Sequence, residues 1–502
     1  MRYMASFDIG TTNVKGILVT DDAGIFLEKN IELKVIRHGD YVEQDPEQWY
    51  DAVKQIAASW FKVGIKAKDI GLLTFSGQMQ DCIPVGEELR PLRPAILYSD
   101  GRASVQSDRL LSELGEQAIH ERTMNHMDGS LTFPKILWLK EREEETFRSA
   151  RSFLVSSKDY VIARLTGECV TDPTSAATTG CMDARARSWV GDWLERYGVD
   201  AGKMPRIAPS DSIVGNIGAQ GAAETGFAEG TPVLCGIGDA GAATLGAGVY
   251  EEGEVYAYVG TTGWVAGASS GYIDVESGAF NLAYVEEGRQ IAIAPLSNAG
   301  SAHQWAVGAF GSGSGRTGDL MSYQMFDRGV EQTERGKDDV LFLPYLNGER
   351  CPVQDANASG CFIGLKPTTT RERMGAAVLE GVAFSMRQVL ELVTPKESGG
   401  GRRVTLIGGG AKSKAWCRIM ADVFGCELAV PKDSQFLPSL GAAALGFRHA
   451  GWSGDYSSLG QIFKGLKEAV VYAPDETLRA YYDRQYKKYE RIYPAVSPLF
   501  VE

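Results

Sequence analysis

The sequence predicts an α/β protein built from two duplicated halves, and three observations carry that reading. Residues 3–9 are apolar apart from Ser6 and Asp8, Gly10-Thr11-Thr12-Asn13 make a turn, Val14–Thr20 return, and Asp21–Gly24 turn again into Ile25–Leu33. That is strand, turn, strand, turn, strand. The same tip recurs 250 residues later as Gly260-Thr261-Thr262-Gly263, between the strand-like Glu254–Val259 and Trp264–Ala268, and a matched hairpin at half the chain length points to duplication. Helical periodicity alternates with these strands in both halves.

The remaining elements follow in order. Asp45-Pro46-Glu47-Gln48 starts a helix, with Asp45 as N-cap and Pro46 at the first helical position. Trp49, Val53, Ile56 and Trp60 then share one face and pack on a core. A strand over Ile70–Phe75 leads to the tip Ser76-Gly77-Gln78-Met79-Gln80-Asp81. Pro209–Gly230, Gly311–Gly318 and Lys396–Gly401 read as loops from their Pro and Gly content. Val404–Ile407 is a buried strand, Gly408–Ala411 a turn, and Lys412–Phe424 a helix with Trp416, Ile419, Met420 and Val423 inward. The boundary falls near 245–255, which gives halves of 1–247 and 248–502.

Composition removes several classes. The 502 residues are 44% apolar and 23% charged, with a net charge of −13; this is globular rather than disordered composition. An acidic protein of this size is not a nucleic-acid binder as a whole, so an anionic ligand has to be held by local backbone donors. The eight cysteines contain no C-x-x-C pair, and the five histidines, His38, His120, His126, His303 and His449, are scattered. Neither set has zinc-ligand spacing, and the thiols read as reduced and buried. Asp8 stands where a signal peptide would be apolar, and no run of ~18 apolar residues is present. The expected location is the cytoplasm.

The glycine turns suggest phosphate chemistry, yet the common nucleotide loops are missing. No G-x-x-x-x-G-K-[ST] stretch occurs, and Ser413 stands where a dinucleotide fingerprint after Gly408-Gly409-Gly410 needs glycine. What remains is a hairpin grip, in which backbone N–H groups and hydroxyls of Gly10, Thr11 and Thr12 form a concavity for phosphate oxygens and Gly260, Thr261 and Thr262 form another. Asp8 lies on an otherwise apolar strand and faces a cation or a wet cleft, because an unpaired buried carboxylate costs several kcal/mol. The repeat aligns Asp8 with Tyr258, so the second grip lacks the acid. Asp239, in Gly236-Ile237-Gly238-Asp239-Ala240-Gly241, reads either as a reactive group with space around it or as a turn or helix cap.

These residues resemble the FGGY carbohydrate kinases along nearly the whole chain. The resemblance runs through Asp8–Thr12, Ser76–Met79, Pro94–Arg102, Gly238–Ala240, Gly260–Gly263, Leu343–Arg350, Leu379–Phe384, Gly408–Ala411 and Leu440–Ala443. The two family signature stretches appear as Ser130–Arg142 and Gly360–Glu380, with Arg142 and Arg373 as departures. Within the family the chain looks most like xylulokinases. The resemblance implies two actin-like, ribonuclease-H-like α/β domains flanking a catalytic cleft, with ATP and Mg²⁺ as cofactors. It makes Asp239 the general base and puts Asp8, with Asp239, at the metal. It gives the phosphates and adenosine to Gly10, Thr11, Thr12, Lys15, Gly260, Thr261, Thr262, Gly263, Gly409, Gly410, Ala411 and Ser413, and the sugar to Gln78, Met79, Gln80, Asp100 and Arg102. Gln80 stands where xylulokinases usually carry His. D-xylulose is therefore the first substrate, with L-ribulose, L-xylulose and gluconate as alternatives; glycerol is disfavoured. A non-catalytic actin-like nucleotide switch is the reading from a different class. The implied partners are a sugar and ATP, with no nucleic acid and no membrane, and a homodimer is the assembly left open.

Overall fold

The computed structural model describes residues 2–39, 41–310, 320–337, 339–394, 403–432 and 434–500. Its first sheet is built on a meander of β1 (Tyr3–Ile9), β2 (Asn13–Val19) and β3 (Ile25–Glu32), all antiparallel. β1 is buried along its whole length, as a central strand must be, whereas β3 carries Glu28, Lys29 and Glu32 on an exposed edge. Helix α1 (Glu47–Lys62) follows, with Trp49, Val53, Ile56 and Trp60 buried as their spacing requires. Asp45 Oδ1 accepts from the Glu47 N–H at 3.0 Å, the expected cap, although the regular helix begins one residue later than Pro46. β4 (Ile70–Gly77) runs parallel to β1.

An insertion then adds α2 (Glu116–Thr123) and α3 (Thr132–Arg142), packed around a separate apolar cluster that includes Ile119, Phe133, Ile136 and Leu194. The chain returns to the sheet through β5 (Ile213–Asn216), β6 (Pro232–Leu234) and the short β7 (Ile237–Gly238). β6 and β7 are parallel to β4, and β5 closes the edge antiparallel to β6. Pro209–Gly230 is therefore not a loop: it holds β5 and a helix over Ala219–Thr225 that ends on Gly226 in the left-handed region. Each piece is too short to show a period, and the turn residues between them dominate the sequence pattern. Gly311–Gly318 and Lys396–Gly401 lie outside the described residues.

Helix α4 (Asp239–Gly246) leads into the second half, where the topology repeats. β8 (Val255–Val259) and β9 (Gly263–Ser269) form the second hairpin. β10 (Phe280–Ala283) and β11 (Gln290–Leu296) extend it, β11 pairing antiparallel with β9 and β10 lying beyond as an extra edge. β12 (Arg403–Ile407) runs parallel to β8, β13 (Glu427–Val430) parallel to β12, and β14 (Val470–Tyr472) antiparallel to β13. The orders β3-β2-β1-β4-β6-β5 and β11-β9-β8-β12-β13-β14 match strand for strand and direction for direction. The Gly-Thr-Thr repeat is thus the visible tip of a duplicated sheet. Helix α5 (Lys414–Phe424) starts two residues later than Lys412, because Gly409–Lys412 form a 3₁₀ turn and Ser413 is the cap.

Alternation along the central strands assigns their two faces. Tyr3, Ala5, Phe7 and Ile9 share a cluster with α1, and Phe7 meets Trp60 at 5.5 Å. Met4, Ser6 and Asp8 point the other way, toward α6 (Leu437–His449), a helix supplied by the second half. Ser6 donates to the Ser439 carbonyl at 2.5 Å and Thr74 to that of Ala442 at 3.0 Å, so two buried hydroxyls of the first sheet are satisfied by this helix. α4 and α6 cross between the sheets at glycine contacts. A Cβ on Gly246 would lie 1.9 Å from the Leu437 oxygen, and one on Gly441 1.9 Å from the Ala242 oxygen.

Neither backbone can recede without moving a sheet. Gly441→Ala should accordingly destabilise the protein by about 1–3 kcal/mol or more, the cost of overpacking a rigid contact. Thermal denaturation checks this, and an unchanged midpoint would show that the two helices separate freely.

Candidate active site

A cleft of about 530 Å³ opens between the halves; Gly10 of the first tip lies on its wall, whereas Gly260–Thr262 of the second tip are not among the residues that line it. Asp8, Gly10 and Lys15 reach its wall from the first half, Asp239 and Ala240 from α4, and Tyr258, Trp264, Gly409 and Lys412 from the second. The first tip is held from behind by a chain of amides. Thr11 Oγ1 donates to Gln78 Oε1 at 2.5 Å, Gln78 Nε2 donates to Gln44 Oε1 at 3.3 Å, and Gln44 Nε2 returns to the Thr11 carbonyl at 2.9 Å. Trp49 Nε1 anchors Gln44 Oε1 at 2.9 Å. Gln78, expected to touch the sugar, is instead buried behind the first tip, where its amide fixes Thr11. In the second tip the Gly260 carbonyl accepts from Gly300 N–H at 2.8 Å and the Thr261 carbonyl from Ser301 N–H at 3.0 Å. Thr261 is exposed and Thr262 half-buried, as Thr12 and Thr11 are in the first tip.

Two carboxyls face this cleft. Asp8 is 7% exposed and accepts from Ser76 Oγ at 3.0 Å. Burial raises its pKa, against the opposing charge of Lys15 and the Ser76 hydrogen bond. Asp239 is the first residue of α4 and is pushed up to about 7, first by burial and then by the charge of Asp8, against the Ala240 N–H. Two carboxylates that repel each other across a wet cleft form an all-oxygen donor set, which suits a hard cation such as Mg²⁺. Lys15 Nζ spans the halves to the Gln435 carbonyl at 3.0 Å.

A smaller cavity of about 130 Å³ adjoins the cleft, and the two share Ala240 and Ile293. Met79 and Gln80, which the family resemblance gives to the sugar, line it. Gln80 has φ 63, and Lys135 Nζ holds its carbonyl at 2.9 Å, pinning a left-handed conformation unusual for a side chain of this size. Behind it Asp81 is buried; burial pushes its carboxyl well above the usual range, against the charge of Lys135 and the Tyr98 N–H at 3.2 Å.

The structure redirects several expectations. Asp100 and Arg102 line neither cavity: Arg102 forks both Asp100 oxygens, at 2.9 and 2.6 Å, and also reaches Glu43 at 2.7 Å. The second Asp100 oxygen accepts from Val42 N–H at 2.6 Å. Burial alone would raise Asp100, yet these partners hold it below the usual carboxylate range, so the pair ties the insertion to the strand at Tyr41–Gln44. Gly263 is buried in β9, within 3.0 Å of the Ala299 methyl for an added Cβ, and Gly410 faces Trp416. Of the turn after β12, Gly408 and Gly409 lie on the cleft wall, and Gly410 and Ala411 do not. Ser413 Oγ accepts from the Trp416 N–H at 3.2 Å and is used as a helix cap. Sequence reasoning missed Asn125, His126 and Thr178 on the smaller cavity. Asn125 exchanges two 2.8 Å bonds with the Asn281 backbone of the other half. The only local signal was a polar Asn-His pair between two helices.

Comparison with known proteins accounts for this geometry. The N-terminal domain of the FGGY family of carbohydrate kinases matches residues 3–246, and its C-terminal domain matches residues 255–450. The xylulose kinase of Escherichia coli (strain K12) is 30% identical over 98% of this chain and 99% of its own, and the gluconokinase of Bacillus subtilis (strain 168) is 27% identical over 89% and 88%. The ligand-bound xylulose kinase structure from Lactobacillus acidophilus superposes with a TM-score of 0.89 at 26% identity, covering 99% of both chains. Two matching α/β halves about a cleft that joins a smaller, mainly apolar cavity fit the two matched domains, and this chain belongs to the FGGY family of ATP-dependent carbohydrate kinases.

Proposed function

We propose that this chain transfers the terminal phosphoryl group of ATP to a hydroxyl of a small ketose, D-xylulose first, to give D-xylulose 5-phosphate. The observation that carries the reading is the junction of the two cavities at Ala240, one residue from a carboxyl held near 7. A sugar beside Met79 and Gln80 brings a hydroxyl to Asp239 while the hairpin tips hold the phosphates. Asp239 takes the hydroxyl proton as the oxygen attacks the phosphorus, a role suited to a carboxylate tuned toward neutrality. Bound Mg²⁺, held by Asp8 and Asp239, would neutralise charge on the phosphates. Backbone donors of Gly10–Thr12 and Gly260–Thr262 orient the chain of phosphates without adding many cations.

The gluconokinase relatives make an aldonic acid the second candidate. A sugar carboxylate needs a cationic partner, and no Lys or Arg stands among the described residues that line the smaller cavity. This supports a neutral ketose. An ADP-release screen over D-xylulose, L-ribulose, L-xylulose and gluconate tests the choice, with D-xylulose expected to give the highest kcat/KM.

Asp239→Asn should lower kcat by about 10²–10⁴-fold while the protein stays folded; steady-state turnover on the best sugar measures it, and a variant keeping half the wild-type rate would remove Asp239 from this role. The same variant should raise the melting temperature of ligand-free protein. The folded carboxyl binds its proton more tightly than the unfolded one, 3.8 rising to about 7, so wild-type stability falls as pH rises through this range. The gain from Asn is therefore largest near pH 8 and vanishes below about pH 4, a trend that melting curves across pH would reveal.

Gln80→Ala should raise the sugar KM by roughly 5- to 150-fold, the cost of an unmatched hydroxyl, and leave the ATP KM unchanged. A larger effect on ATP would place Gln80 outside the pocket.

A further inference from the structure

Away from the cleft, Glu116, His120 and His126 offer a carboxylate oxygen and two ring nitrogens that all lie within 4.8 Å of one another. Glu116 and His120 are one turn apart on α2 and share a face. Met124, at φ 54, ends that helix in the left-handed region and folds the chain back. His126 Nδ1 thereby comes 3.1 Å from His120 Nε2, which is itself 3.9 Å from Glu116 Oε1. This reversal explains why linear spacing shows no metal signature.

The second nitrogen of His126 settles the ring's protonation. His126 Nε2 bonds the Val275 carbonyl, and a carbonyl only accepts, so Nε2 carries the proton and the Nδ1 lone pair faces the cluster. A backbone oxygen fixing the far side of an imidazole is the usual support behind a metal-ligating histidine. Burial, with His126 beside it, lowers the pKa of His120. Glu116, Asp274 and Glu276 surround it with negative charge.

We propose that Glu116, His120 and His126 bind a divalent transition metal of the zinc class, with water in the remaining position, at the rim of the smaller cavity. Two nitrogens bound to tetrahedral zinc at ~2.0–2.1 Å stand about 3.3–3.4 Å apart, so the rings need only a small separation, and the exposed Glu116 side chain closes by rotation. His120 moves its proton from Nε2 to Nδ1 as the metal enters, with no net change in charge. Mg²⁺ is a poor occupant, because it prefers oxygen to imidazole, so this site is chemically distinct from the phosphate cleft. His126 lines the cavity and is bonded to the other half; bound metal would stiffen that rim.

Calorimetric titration of metal-free, nucleotide-free protein with Zn²⁺ tests the proposal. One saturable site per chain is expected. His120→Ala should weaken it roughly tenfold or more, the scale on which even outer partners of a metal site act; Glu116→Gln should weaken it less, and His449→Ala on the exposed surface should not change it. Co²⁺ in place of Zn²⁺ should give the intense visible bands of a four-coordinate ion. Absence of a saturable site, an affinity indifferent to both His120→Ala and Glu116→Gln, equal weakening by His449→Ala, or a weak six-coordinate cobalt spectrum would each overturn it. If circular dichroism shows His120→Ala unfolded, Glu116→Gln, an exposed and conservative change, decides alone.

Discussion

The first sheet cannot cover itself. One face of β1 and β4 is closed by α1, but the other is closed by α6, which arrives from the far half of the chain. That exchange places the buried hydroxyls of Ser6 and Thr74 under carbonyls of α6 and forces α4 and α6 to cross where only hydrogen fits between backbones. α4 begins with Asp239, and Asp8 is the last residue but one of β1, on the face turned toward α6. The positions of both cleft carboxyls are therefore consequences of how the halves cover one another, and a change in the helix crossing would move them together.

The cleft also answers the problem posed by a net charge of −13. A polyphosphate that comes within a Debye length, about 10 Å, of an acidic surface meets repulsion, so attraction has to be local. Lys15 and Lys412 supply part of it. In the proposed function the rest falls to two turns whose backbones are held in advance, the first by the Gln44–Gln78 amide chain anchored on Trp49 and the second by the start of the helix Gly300–Phe310. Buried neutral amides can do this without adding charge, because each donor and acceptor is matched.

Much of this was legible in the sequence because it is written locally. An acid on an apolar strand, a glycine-threonine tip and its repetition in the same context need only neighbours along the chain, and they led to two sheets and to Asp8 and Gly10; the family resemblance added Asp239 and Gly409, which line the same cleft. Pairings between distant segments left no trace. Asp100 and Arg102 look like free polar groups until Glu43 and the Val42 N–H are brought beside them; Gln78 looks like a recognition residue until Thr11 claims its oxygen. Asn125 and His126 gain meaning only because Asn281 and Val275 fold against them. β5 and the helix Ala219–Thr225 were hidden by brevity, since neither completes enough turns or alternations to register.

Duplication brings one more consequence. Tyr258 occupies in β8 the station that Asp8 occupies in β1, and its ring stacks on Trp264 with centroids 3.9 Å apart. Two copies of one scaffold facing each other would, with identical stations, make a cleft indifferent to which way round a ligand enters. A charged oxygen on one side and a flat aromatic pair on the other remove that indifference. The cleft has a head and a tail, marked by Asp8 at one station and by Tyr258 at its counterpart.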